Sequence, residues 1–111
     1  SATSPTPAPP SDMHASSGPS HEMHRRMMDS MKDMQGMTPS GDMDRDFATM
    51  MRRHHQSGIE MARQEIAHGK DPKMKEMARK ILASQQKEAR EFEQWLARRD
   101  ASGSMRTPDK R

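Results

Sequence analysis

"AHGKDPKM", residues 67–74, decides how this chain folds. Gly69 ends one helical pattern, Asp71 is placed to cap the next, and Pro72 stands at its first position, where a missing N–H is tolerated. Patterned segments of over 20 residues lie on each side, from about Met43 to His68 and from Pro72 to about Arg99. Asp42 is the expected cap of the first of these. Two long helices joined by so tight a turn return on each other as an antiparallel hairpin.

The spacing predicts which faces meet. On the first hairpin helix the inward stripe is Phe47, Met50/Met51, His54, Gly58, Met61 and Glu65. On the second it is Met74, Met77/Ala78, Ile81, Gln85, Glu88, Phe92 and Trp95. Folding at Gly69–Lys70 sets Met61 beside Met77, His54 beside Gln85 and Glu88, and Phe47 beside Phe92. A two-helix hairpin cannot bury these stripes alone. The expectation is an all-α fold of ferritin-like or four-helix-bundle type, completed by an upstream helix or by dimerisation into a homodimer.

The chain has 111 residues, enough for one small domain. Only 30% are hydrophobic and 3% aromatic, and the mean hydropathy is -1.20, so an ordinary core cannot be built from them. Methionine is the anomaly: there are 14, and ten of them fall between Met13 and Met51. Flexible Met specifies packing poorly, so this enrichment points to the thioether sulfur itself. The alternative is that Met stripes at helical spacing are simply core.

Cysteine is absent, which excludes disulfides, thiolate zinc sites and thiol catalysis. The net charge of +3 does not imply nucleic acid, because acidic and basic residues alternate along the helices instead of forming a basic block. No apolar run approaches the roughly 18 residues of a membrane span. The chain starts at Ser1, and removal of an export signal would fit that start.

Upstream of the hairpin, residues 1–20 are rich in Pro, Ser, Ala and Thr and are expected to be a disordered tether. Residues 21–37 carry a Met/His-rich helix over about 21–35, with Ser20 as cap and Gly36 as stop. Met23, Met27, Met31 and Met34 share one of its faces, and His24 and Met28 lie on the neighbouring one. After the hairpin domain of residues 42–99, residues 100–111 are expected to form a flexible tail.

Donors for one ion on one helix must be three or four residues apart. In the upstream helix His21/His24, His24/Met28, Met27/Met31, Met28/Met31 and Met31/Met34 meet this rule. Met50/His54, Met51/His54 and Met51/His55 do so in "MMRRHHQSGIEMA", residues 50–62. Met61 is too far along the axis from His54 and is expected to work with Met77. His54 is expected to face the bundle and His55 its edge, with Gln85 and Glu88 hydrogen-bonded to the ligating imidazole to fix its orientation. Thioether and imidazole donors without thiolate favour Cu(I) or Ag(I), with Cu(II) at His-rich spots.

Residues 44–96, "DRDFATMMRRHHQSGIEMARQEIAHGKDPKMKEMARKILASQQKEAREFEQWL", resemble the domain of unknown function 305 family. The matching positions are Asp44, Phe47, Met51, His54, His55, Ile59, Met61, Ala62, Gln85, Glu88, Trp95 and Leu96. The chain departs from that pattern at Arg53, where Pro often stands, at Gly58, where Ala is usual, and at Phe92, where Met is common. Members of the CopM type are exported bacterial helical bundles that bind copper and silver in metal resistance. The resemblance therefore implies a periplasmic or extracytoplasmic metal buffer or chaperone, not an enzyme, with a copper-handling protein as partner. Two other readings stay open. One is a Met-rich interaction module with no metal role. The other is a copper or di-iron redox centre, for which Glu65-x-x-His68 has the spacing but is present only once.

Overall fold

The computed structural model describes residues 18–106 and holds three helices: α1 (Pro19–Gln35), α2 (Met43–His68) and α3 (Pro72–Arg106). The fold is all-α, with no strand among the described residues. Residues 1–17 of the expected 1–20 tether and the last five residues of the expected tail lie outside the described residues, and Pro19 and Ser20 belong to α1 instead of the tether.

The capping chemistry sets the helix ends. Asp42 accepts from the N–H groups of Asp44 and Arg45, which have no carbonyl partner in the first turn of α2. Gly69 closes α2 by donating to the Glu65 carbonyl, and Asp71 accepts from the Lys73 N–H at the start of α3. α1 begins two residues earlier than Ser20 predicts, because Pro19 takes the first helical position after Gly18. α3 runs past Arg99 through part of the expected tail to Arg106. Gly103 alone does not break it.

α2 and α3 pack as an antiparallel hairpin, with the Phe47 and Phe92 rings edge to face at 5.9 Å. The facing stripes are rotated from the predicted ones by about one residue. Ala48, His55 and Ala62 are the buried residues of α2. On α3 the line is Ala78, Leu82, Gln85, Ala89, Phe92 and Leu96, a strict alternation of three and four. Phe47, Met50 and His54 of the expected α2 stripe are exposed, as are Met74, Met77 and Ile81 of α3. The reason is steric: two helices approach most closely where side chains are small, so alanine takes the seam and the large residues flank it.

α1 lies antiparallel on α2 and does not approach α3 among the described residues. Its inner line is Met23, Met27, Ser30 and Met34, with Ser30 hydrogen-bonded to Ser57 and Asp33 paired with Arg53. α2 is thus the middle of a three-helix layer. At 3.6 residues per turn, His24 and Met31 of α1, Met43, Phe47, Met50 and His54 of α2, and Met77, Ile81 and Trp95 of α3 share one broad face. The opposite groove between α1 and α2 is polar, lined among others by Glu22, Arg25, Asp29, Asp33, Arg53 and Arg63.

Candidate metal centre

The histidine pair is oriented the other way from the expectation. His55 is buried, 6% exposed, and His54 is exposed. His55 sits on the Ala48–Ala62 line, seven residues from each, and is therefore carried into the seam. Its Nδ1 lies 2.9 Å from the Met51 carbonyl, which can only accept, so Nδ1 carries the proton. Nε2 is turned to Glu88, 2.6 Å from Oε1. The Phe92 ring stands edge-on at 5.6 Å and shields the remaining side.

Gln85 and Glu88 therefore do not orient His54. Glu88 serves His55, and Gln85 packs over Gly58, where its Oε1 is buried without a hydrogen-bond partner. With Nδ1 bonded to the main chain, Nε2 is the ring nitrogen left to ligate, but in the bond to Glu88 it is engaged and offers no free lone pair. An ion reaching Nε2 would have to take the place of the Glu88 hydrogen bond.

The thioethers are not the core. The buried hydrophobic residues are Ala48, Ala62, Ala78, Ala89 and Leu96. Met28, Met31, Met50 and Met77 are 51%, 43%, 46% and 42% exposed, while Met27, Met34, Met51 and Met61 are half-buried. His21 and His24 are exposed on α1. The expected Met61–Met77 pairing across the hairpin gives way to a different one, because the rotation of α3 turns Met77 outward.

Met61 instead faces α1. With Met23 and Met27, one helical turn apart, it lines a crevice between α1 and α2 whose free volume of about 10 Å³ is that of about one water molecule. Ser57, Glu60, Gln64 and Arg26 complete its wall. The Arg26 Nε donates to Glu22 at 2.9 Å, so its charge is drawn away from the sulfurs. Glu22 also accepts two bonds from Arg25, and these, followed by the Arg26 bond, hold its carboxyl down at about 2.

Apart from the half-buried Met34 and Met51, the predicted donors thus separate into three groups: an exposed set, His55 in the seam, and Met27 with Met61 in the crevice. Met23 joins the last group, although sequence spacing marked it only as a neighbour of Met27. What it lacked was the register of α1 on α2. Among the described residues no three His, Asp or Glu side chains converge on a point where an ion could be held. Glu65 lies against the Gly69 turn and His68 is exposed, so the single Glu-x-x-His does not build a carboxylate-rich centre in one protomer. The donors this chain does bring together are soft.

One family model matches the chain: Domain of unknown function (DUF305), over residues 2–96. No curated protein and no solved structure matches it. The match spans most of the sequence, and the chain belongs to that family.

Proposed function

We propose that this member of the family is an extracytoplasmic copper- and silver-binding protein, a buffer or chaperone and not an enzyme. It would take Cu(I) or Ag(I) through methionine sulfur and histidine nitrogen, with Cu(II) at the histidines. The observation that carries this reading is that methionine is the commonest apolar residue of the chain, and yet among the described residues none is buried in the seam. Packing of the hairpin seam therefore does not account for the exposed methionines, which stand beside His24 and His54 where an ion can reach them. A soft, uncharged donor set suits a monovalent soft cation.

The test is titration of the reduced protein with Ag(I), following the methionine methyl resonances. Shifts at Met27, Met28, Met31, Met50, Met51 and Met61 are expected; unmoved methyls throughout would sink the reading.

A second reading is favoured by the exposure of Phe47 and Met43, 58% and 83%, on the same broad face. A contiguous apolar face is also what a docking module presents. In the same family of readings, a second copy whose hairpin packs on this one would build a four-helix bundle of ferritin-like type, with the two α1 helices flanking it. The docking module predicts that changing His24 and His54 to Gln leaves function intact, and that no metal accompanies protein made in copper-rich medium. The metal reading predicts the reverse in both.

A further inference from the structure

We infer that Met23, Met27 and Met61 form one three-thioether site for Cu(I) or Ag(I) that bridges α1 and α2, so that metal binding pins α1 onto the hairpin. This rests on the copper and silver reading and adds to it a specific place and a mechanical consequence.

The site is defined by convergence. Two methionines come from adjacent turns of α1 and the third from α2, and all three side chains line the same small crevice. Helical spacing supplies the first pair, and the Ser30–Ser57 register supplies the third partner. Three neutral thioethers are a donor set that selects soft monovalent ions over Zn(II) or Mg(II). Glu60 in the wall offers a carboxylate near the ion's charge, while Arg26 is engaged by Glu22. Thioethers do not protonate, so this site keeps its donors at acid pH where a histidine site loses them.

The consequence follows from how weakly α1 is otherwise held. It is 17 residues long, close to the length below which an isolated helix is marginal in water. Ser30 is its single buried residue among those described, and its other inward positions are half-buried methionines. The ion pair from Asp33 to Arg53 is exposed and adds little. A metal ion shared by both helices therefore changes the docking equilibrium by as much as it prefers the docked state.

The experiment uses the full chain, labelled at methionine methyls and titrated anaerobically with Ag(I), beside a Met23→Leu/Met27→Leu/Met61→Leu variant that keeps side-chain volume. The expected result is that the Met23, Met27 and Met61 methyls shift together. Amide exchange over residues 20–35 should slow by at least about tenfold on metal addition in the parent and not in the variant. Circular dichroism on both proteins without metal shows whether the variant is folded; if it is not, Met61→Leu alone serves in its place. If Met28, Met31 or Met50 methyls shift and these three do not, the site falls while the copper and silver reading stands. Shifts at the three without slowed exchange overturn the pinning of α1. If no methyl shifts, the functional reading itself fails.

Discussion

The Nε2 of His55 lies 2.6 Å from Oε1 of Glu88, joining the middle helix of the layer to α3 at a point where the imidazole is buried and the carboxylate is not. The asymmetry has an energetic consequence. Removing the His55 side chain leaves a gap in the seam, although the Met51 carbonyl keeps its helical bond from the His55 N–H, whereas removing Glu88 leaves a ring nitrogen that water can approach along the exposed carboxylate's path. His55→Ala should cost about 2–3 kcal/mol of stability and Glu88→Gln about 1 kcal/mol or less. Urea unfolding of both variants without metal checks this; equal losses would show that the hydrogen bond, not the burial, is what matters.

Gly58 is the second point where α2 and α3 touch closely. A methyl group there would meet the tip of the Gln85 side chain, with Oε1 at 2.1 Å and Cδ at 2.9 Å. That tip is flexible, and its Oε1 already lacks a partner. Displacing Gln85 toward solvent costs little, while Gly→Ala inside a helix gains about 1 kcal/mol. Gly58→Ala should therefore raise the thermal midpoint by a few degrees. Gly69→Ala should do the opposite, because its Cβ would lie 2.6 Å from the Glu65 carbonyl oxygen, which cannot move without unwinding the end of α2.

Much of this architecture was legible in the sequence, and the displaced hairpin stripes have one physical origin. Asp42, Gly69, Asp71 and Pro72 mark helix ends by local hydrogen bonding, which needs no knowledge of tertiary packing. The pairing of Phe47 with Phe92 followed from the turn alone. The facing stripes lie one residue away from those that hydrophobic spacing predicts, because small Ala48, Ala62, Ala78 and Ala89 occupy the seam and the large apolar side chains flank it. That same slip exchanged the roles of His54 and His55. The Met61 partnership was illegible for another reason: it depends on where α1 lands on α2, and nothing within α1 encodes a register with residues some 30 positions away.

Acid should loosen the start of α1. The Glu22 carboxyl, bonded by Arg25 and Arg26, is held down at about 2. A carboxyl depressed in the folded state contributes stability that is fully present above its ordinary value, near 4.3, and is lost as pH falls toward about 2. Resonances of residues 20–26 should therefore lose helical character across that window, ahead of α2 and α3, and Glu22→Gln should remove the pH dependence. The group is fully exposed, so raising the salt concentration should blunt the effect.

Stability and metal binding should part company between the seam and the broad face. Ala62 and Ala78 are each 5% exposed, so Ala62→Leu or Ala78→Leu overpacks the seam and should cost about 1–3 kcal/mol. Met31 and Met50, 43% and 46% exposed, can become Leu with little change in volume, and without metal their stability should stay within about 0.5 kcal/mol of the parent. If these thioethers serve only as apolar surface, Leu replaces them fully and Ag(I) binding does not change either. If sulfur is the reason they are there, the Met31→Leu/Met50→Leu variant keeps its unfolding curve and binds less Ag(I) in a competition titration. Because leucine matches methionine in hydrophobicity and lacks only the donor atom, the difference between the two curves isolates the sulfur.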